Sequence, residues 1–157
     1  MLGLFLLPTT ASAATYGDFT YTVSNGEATI TDYTGSATDL TIPDTLGGYP
    51  VTSVGNYAFC YCSNITSVII PDGVTVLQGS VFEKCTGLTN FTIPSGVTSI
   101  EREVFRGCTG LTSIMIPDSV TSIGENAFSG CTGLTDVYYT GTAAEWAKIS
   151  IGYYNNN

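Results

Sequence analysis

The side chains that most often carry catalysis are scarce in this chain of 157 residues, which contains no histidine. Serine–histidine–aspartate catalysis, cysteine–histidine catalysis and histidine metal sites therefore cannot form from its own residues. Four lysines and arginines stand against 13 aspartates and glutamates, which gives a formal net charge of −9. Because so acidic a chain repels phosphate backbones, the composition excludes nucleic acid as a partner.

Cysteines are the next candidates for chemistry, since four of the five recur every 23 residues. Stacked repeats would align equivalent side chains in parallel, which favours a buried ladder of small apolar thiols. Export would favour disulfides between adjacent turns, so both interpretations stay open. Cys60 lies off the repeat, and a single Cys-x-Cys pair without histidine predicts no metal site. The periodic cysteines are Cys62, Cys85, Cys108 and Cys131.

Acidic side chains suggest two further hypotheses. Asp44, Asp72 and Asp118 each follow a periodic proline, but calcium needs several converging oxygens, and turn formation explains these aspartates. Residues 101–106 mix glutamates with arginines, and Glu83 and Lys84 lie on the turn before. A carboxylate pair there would suit general acid–base catalysis, whereas a mixed-sign exposed face is the simpler interpretation. We therefore predict no catalytic residue, no metal site and no cofactor.

The elements that would position any site come from a repeat. Three copies read PDGVTVLQGSVFEKCTGLTNFTI, PSGVTSIEREVFRGCTGLTSIMI and PDSVTSIGENAFSGCTGLTDVYY, and they begin at Pro71, Pro94 and Pro117. An earlier, degenerate copy has five extra residues between Pro43 and Pro71. A fixed period in the twenties predicts a solenoid, in which each turn buries its apolar residues against its neighbours. With 43% hydrophobic residues, the chain can supply that core.

Each repeat predicts one strand and one returning segment. Alternation places Phe91 and Ile93 inward on a strand, and Pro94 then ends the ladder because it lacks an N–H. The returning segment carries Phe105 as a bulky core residue and is too short for a long helix, so we expect 3₁₀ or irregular turns. Stacked turns place their strands side by side in a parallel sheet, about 5 Å apart.

The pattern Leu-x-x-Phe-x-Ile at this period is that of leucine-rich repeats. The longer string VTSIGENAFSGCTGLTDV resembles the BspA-like class of bacterial leucine-rich repeats, over residues 37–139. The position that usually holds asparagine or cysteine is instead Gly73, Gly96 and Ser119. The resemblance implies a mainly β, right-handed horseshoe with a parallel sheet on its concave face. It also implies a bacterial secreted or cell-surface protein of the adhesin type.

The N-terminal part of the chain does not repeat. Residues 1–13 join the apolar run LGLFLL to Ala-Ser-Ala and predict a signal peptide, truncated because no basic residue precedes the run. A buried strand or helix is the alternative. Residues 14–36 contain two alternating runs around Asn25-Gly26 and predict a β-hairpin that caps the first turn. No apolar run is long enough to cross a membrane, and the export signal predicts a secreted or cell-surface location.

The C-terminal residues 140–157 predict a short helix followed by a frayed or truncated tail. Thr142 and Glu145 have the spacing of a capping box that begins the helix. Trp146, the single tryptophan, either plugs the end of the core or stacks on a sugar.

Outward positions of the repeat strands form a candidate binding strip. One column is small and polar, while the other includes apolar side chains that suit recognition on a rigid sheet. We predict that the strip binds an extracellular protein or glycoconjugate with little dependence on salt. The alternative is a non-catalytic spacer or self-associating repeat domain of a larger surface protein, whose like-charged copies would associate more strongly in salt. The strip comprises Asp39, Ser67, Asn90, Ser113 and Asp136 in one column and Thr41, Ile69, Thr92, Met115 and Tyr138 in the other.

Overall fold

Apolar residues repeated every 23 positions build a β-solenoid of about five turns with little helix. The structure, a computed structural model, describes residues 12–155, so most of the predicted signal peptide lies outside the described residues. In chain order the elements are β1 (Ala14–Tyr16), β2 (Phe19–Ser24), β3 (Glu27–Tyr33), β4 (Asp39–Thr41), β5 (Thr45–Leu46), β6 (Tyr49–Val54), β7 (Ser67–Ile69), β8 (Val76–Leu77), β9 (Asn90–Thr92), β10 (Ser99–Ile100), β11 (Ser113–Ile116), β12 (Ser122–Ile123), β13 (Asp136–Tyr139), α1 (Ala143–Trp146) and β14 (Ser150–Ile151).

The predicted hairpin forms the N-terminal end of the solenoid. Strands β2 and β3 pair antiparallel, and the pair Ser24–Glu27 closes a two-residue loop in which Asn25 and Gly26 have φ of 54° and 81°. Both loop residues need positive φ in such a turn, which explains the Asn-Gly sequence. Strand β1 adds a third, unpredicted strand, and β3 pairs parallel with β6. Because Ile30 and Tyr33 are buried, the hairpin covers the apolar end of the first turn.

The repeat strands predicted from sequence form the concave sheet, which consists of β4, β7, β9, β11 and β13. Parallel ladders join β4 to β7 and join β9, β11 and β13. Each turn also contributes a short strand to a second parallel sheet, in which β6 pairs with β8 and β10, β12 and β14 form another ladder. The sequence predicted that Val97 and Ile100 point inward, which is confirmed by their burial, but two-residue strands are too short to show an alternating pattern.

Returning segments contain two residues with left-handed backbone in every turn. One position holds Tyr57, Ser80, Glu103 and Asn126, with φ between 56° and 61°. The other holds Tyr61, Lys84, Gly107 and Gly130, with φ between 58° and 75°. Two such residues within a few positions interrupt any helix, so the described returns are irregular turns rather than 3₁₀ helices.

A ladder of phenylalanine rings fills the core behind these returns. Phe59, Phe82, Phe105 and Phe128 stack nearly parallel, with successive ring centroids 5.4, 5.9 and 5.5 Å apart. Tyr33 from the hairpin continues the ladder at 5.3 Å from Phe59. The bulky residue predicted in each return is therefore the element that joins one turn to the next.

The C-terminal helix begins as predicted. The Thr142 N–H donates to Glu145 Oε2 at 2.7 Å, and the Glu145 N–H donates to Thr142 Oγ1 at 3.3 Å. The following residues differ from the expected fraying, because β14 pairs with β12 and the Asn155 amide donates to the Gly124 carbonyl at 2.9 Å. These bonds hold the described tail against the last turn.

Candidate functional site

The ten strip residues occupy outward positions of the concave sheet, and the structure brings them together as two groups. On β4 and β7, one residue of each column aligns with its equivalent on the neighbouring strand. The same alignment runs across β9, β11 and β13. The aligned sets are Asp39–Ser67 and Thr41–Ile69 in the first group, and Asn90–Ser113–Asp136 and Thr92–Met115–Tyr138 in the second.

A break, called the seam below, separates the two groups between β7 and β9. The Thr89 N–H donates to the Thr66 carbonyl at 3.1 Å where the strands begin, but the described strands β7 and β9 share no ladder beyond it. Between β9 and β11, by contrast, the ladder continues beyond the strands, and the Ile93 N–H donates to the Met115 carbonyl at 3.0 Å. The second sheet is interrupted at the same turn, between β8 and β10. The seam therefore crosses both sheets.

Phe91 explains the seam on steric grounds. Its position, inward at the centre of the strand, holds only aliphatic side chains in the other turns. The Phe91 ring lies 5.0 Å from Phe82 and 4.8 Å from Phe105, edge-on to both. Across the seam these two rings are 5.9 Å apart, the widest spacing among the four stacked phenylalanines. A larger ring in a close-packed core thus holds adjacent turns apart. The aliphatic equivalents are Leu40, Val68, Ile114 and Val137.

A groove of about 710 Å³ lies over the seam. Outward-facing Ile69 and Met115 line it, and so do Val68 and Ile70, which remain half-buried although their equivalents in the next two turns are buried. The groove therefore opens toward apolar side chains of the core. Apart from Ile93, its remaining lining is polar or proline, and includes the exposed carboxylates Asp72 and Asp118.

Within the strip, the exposed apolar side chains all belong to one column. Ile69 is 65% exposed, Tyr138 is 54% exposed and Met115 is 37% exposed. The polar column is partly engaged within the protein, because Ser67 Oγ donates to Asp39 Oδ1 at 2.6 Å. Backbone ladders fix these positions, so a ligand would meet contact area that is already ordered.

A threonine ladder that sequence reasoning missed supports the concave sheet. The hydroxyl of one threonine per turn donates to the carbonyl of its equivalent in the preceding turn, at 2.9 to 3.3 Å. The signal was the threonine that follows the leading leucine or isoleucine of every repeat. The donors are Thr66, Thr89, Thr112 and Thr135.

Three of the four periodic cysteines form a second ladder, through thiol hydrogen bonds rather than disulfides among the described residues. Cys85 Sγ donates to the Phe59 carbonyl and Cys108 Sγ to the Phe82 carbonyl, each at 3.1 Å. Cys131 Sγ donates to the Phe105 carbonyl at 2.9 Å. Burial raises the pKa of Cys108 to about 12 and that of Cys131 to about 11. These thiols stay protonated, so the ladder has a structural role.

The remaining cysteines lie near the surface of the first repeat. Cys60 and Cys62 are half-buried, and burial raises the pKa of both thiols. Raised pKa values oppose the thiolate that nucleophiles and metal ligands require. Within residues 12–155, no three histidine, cysteine, aspartate or glutamate side chains are grouped to hold a metal ion.

Charged residues of the returning segments form ion pairs both within a turn and between turns. Arg106 lies 3.1 Å from Glu83, and Arg102 lies 3.1 Å from Glu103. Burial raises the pKa of Glu103, but hydrogen bonds from Arg102 and from Ser80 outweigh it and bring this pKa below its usual value. The expected mixed-sign exposed face is wrong for Glu83, which is only 8% exposed because Arg106 covers it. The carboxylates of Glu83 and Glu103 are thus engaged in ion pairs within the protein.

The last turn ends in an apolar hollow of about 330 Å³. Trp146 lines it and is half-buried, with its ring 5.3 Å from Tyr139 in an edge-on contact. Val137 and Ile151, which also line the hollow, are 50% and 53% exposed. The tryptophan thus covers part of the core end and leaves apolar surface beside it.

Comparison with known proteins agrees with this architecture. The family model for the BspA type leucine-rich repeat region matches residues 30–154, with six copies of the repeat. No curated protein sequence matches the chain. Along residues 12–155, no helix has the length and apolar character needed to cross a membrane.

Solved structures of bacterial leucine-rich repeat proteins share the fold. A leucine-rich cell surface protein of Faecalibacterium prausnitzii is 29% identical, with a TM-score of 0.71 over 93% of this chain and 43% of that one. A leucine-rich repeat protein of Bacteroides capillosus is 31% identical, with a TM-score of 0.74 over 83% of this chain and 99% of that one. The pneumococcal vaccine antigen PcpA, at 22% identity, has a TM-score of 0.65 over 83% of this chain and 38% of its own. The chain spans about two fifths of the length of the Faecalibacterium protein.

Proposed function

Because the chain belongs to the BspA-type leucine-rich repeat family, we propose that it is a secreted or cell-surface binding module. Its ligand is an extracellular protein or glycoconjugate that contacts the concave sheet. The cell-surface description of the Faecalibacterium relative supports the location. The proposal assigns no catalytic residue; Glu83 and Glu103 of the returning segments are paired with arginines.

The exposed apolar column beside the groove carries the proposal. Ile69, Met115 and Tyr138 project from a hydrogen-bonded sheet, and hydroxyl and amide side chains lie around them. Recognition surfaces combine apolar contact area with a polar surround in this way. The side chains lose little backbone freedom on binding because the strands already fix them.

Binding of the purified chain to extracellular matrix proteins, mucins and bacterial surface glycans tests the proposal. The variant Ile69→Ser/Met115→Ser/Tyr138→Ser should lose at least about tenfold in affinity for any ligand found, since hot-spot residues each contribute over about 1 kcal/mol. The matched control, Tyr49→Ser/Tyr57→Ser/Val76→Ser, removes exposed apolar residues away from the strip and should bind like the unmodified chain. Circular dichroism must show that both variants fold. A ligand that binds both variants equally would contradict the placement on the concave sheet.

Self-association is the second candidate, and the apolar hollow at the last turn favours it. Two copies that covered each other's Val137 and Ile151 would remove this surface from water. Sedimentation velocity at low and high salt should then show dimers that strengthen with salt, because two copies of net charge −9 repel each other. The variant Val137→Ser/Ile151→Ser should be monomeric in both conditions. A chain that is monomeric at every salt concentration would exclude this candidate.

A further inference from the structure

The groove over the seam carries negative charge in addition to its apolar residues. Asp72 and Asp118 follow the prolines that end their strands, and both carboxylates are exposed at the groove. Asp39 and Asp136 add two more carboxylates on the strip itself. None of the chain's four basic residues lines the groove. A ligand in the groove therefore meets carboxylates, and no basic side chain belongs to the groove lining.

The basic side chains of the protein lie elsewhere. Lys84, Arg102 and Arg106 belong to the returning segments, where they contact Tyr61, Glu103 and Glu83 in that order. Lys148 borders a separate, smaller hollow, which it shares with Asp118. Within residues 12–155, the side chains of Asp72 and Asp118 make no hydrogen bond or ion pair, so their charge is available to a partner.

The seam supplies a specific apolar contact beside this charge. Val68 lies in β7 before the seam, Ile70 directly follows β7, and Ile93 directly follows β9 beyond the seam. All three line the groove. An aliphatic side chain that entered between β7 and β9 would cover Val68 and Ile70, whose equivalents in the next two turns are buried. Completing a partly opened core is favourable because it removes apolar area from water.

From these observations we infer that the groove binds an extended, basic protein segment that carries an aliphatic anchor residue. The anchor fills the seam, and lysine or arginine side chains of the segment pair with Asp72 and Asp118. The two aspartates are two turns apart, about 10 Å. Side chains four residues apart on an extended peptide share one face at about 13 Å, so two flexible lysines at that spacing reach both carboxylates. This inference rests on the proposed function and names the chemistry of its partner.

Three synthetic peptides, acetylated and amidated, test the inference with the full chain. The probe is Gly-Lys-Ser-Leu-Ser-Lys-Gly, and its matched controls are Gly-Glu-Ser-Leu-Ser-Glu-Gly and Gly-Lys-Ser-Ala-Ser-Lys-Gly. Titration followed by amide NMR shifts should show the probe binding at residues 67–72 and 90–95. Each control should bind at least about tenfold more weakly, since the first reverses the charge and the second removes most of the buried anchor.

Protein variants provide the reciprocal test. Asp72→Asn/Asp118→Asn should weaken probe binding about tenfold at low salt, at roughly threefold per exposed ion pair. Glu101→Gln/Glu125→Gln makes the same change in net charge on the returning segments and should leave the affinity within about twofold. Raising the salt to about 1 M, where the screening length is about 3 Å, should remove most of the difference.

The outcomes separate this inference from the proposed function. Equal binding of the basic and acidic peptides, or equal weakening by both charge variants, would overturn the basic partner. If binding of a matrix protein or glycan nevertheless requires Ile69, Met115 and Tyr138, the proposed function stands without the basic partner. Probe shifts confined to the returning segments would overturn the inference, because the peptide would then bind outside the groove.

Discussion

Replacing Phe105 tests whether the ring ladder is what couples the turns of the solenoid. Phe105 is fully buried, stacks between Phe82 and Phe128, and meets the edge of Phe91. Truncating a buried phenylalanine to alanine costs about 3–5 kcal/mol, and each aromatic pair contributes about 0.5–1.5 kcal/mol beyond area burial. With three ring partners, Phe105→Ala should lower the free energy of unfolding by about 4 kcal/mol.

Phe128 provides the matched comparison at the end of the same ladder. It is 8% exposed and stacks on Phe105 alone, with the apolar hollow on its other side. Fewer contacts are lost there, so Phe128→Ala should cost about 2.5 kcal/mol. Phe105→Leu, which keeps most of the buried volume, should cost about 1.5 kcal/mol and remain folded if the alanine variant does not.

Urea unfolding followed by far-ultraviolet circular dichroism measures these differences from the transition midpoint and slope. Tyr57→Ala, at a residue 58% exposed, serves as the surface control and should change stability by less than about 0.5 kcal/mol. The reasoning would be refuted if Phe128→Ala cost as much as Phe105→Ala. It would also be refuted if Phe105→Ala cost no more than the surface control.

Three further predictions concern the cysteine ladder, the helix cap and the seam. Because the pKa of Cys108 is raised from 9.0 to about 12, the stability linked to its neutral thiol is complete below pH 9.0 and lost as pH rises through about 12. The free energy of unfolding should therefore decrease between pH 9.0 and about 12, and this decrease should be smaller in Cys108→Val. The same dependence on pH in both proteins would argue against the cysteine ladder. Thr142→Ala removes the capping box and should lower the free energy of unfolding by about 1 kcal/mol, whereas Thr142→Ser should keep the stability of the unmodified chain. The urea midpoint of the Trp146 fluorescence transition measures both. Phe91→Ile should let β7 and β9 pair, so the amides of residues 68–70 and 90–93 should gain protection from hydrogen exchange; unchanged protection would mean that Phe91 is not the cause.

The features that repeat could be predicted from sequence because every turn supplies the same evidence again. Phe59, Phe82 and Phe105 are buried for one physical reason, contact with an equivalent ring on the next turn. The outward positions of the strip followed from alternation alone. The Asn25-Gly26 hairpin was also predictable, because its loop geometry depends on two local residues.

The features that depend on differences between turns could not be predicted in the same way. The seam follows from a ring in place of an aliphatic side chain at Phe91, which in sequence is one hydrophobic residue among others. In the sequence, Asp72 and Asp118 have the pattern of turn residues. Only the structure shows that their carboxylates line the groove, where a ligand could contact them. Glu83 was expected on the surface, but its burial depends on Arg106 of the following turn.

The seam also has a mechanical consequence. A solenoid is a one-dimensional array whose cohesion comes from the coupling of each turn to its neighbours. Across the seam that coupling is retained in the returning segments, where the Lys84 N–H donates to the Arg106 carbonyl at 2.7 Å, but not in the β7–β9 and β8–β10 ladders. Tension along the array would part the turns first at the groove. A segment bound between β7 and β9 would then hold these two turns together, so ligand binding would increase the force needed to separate them.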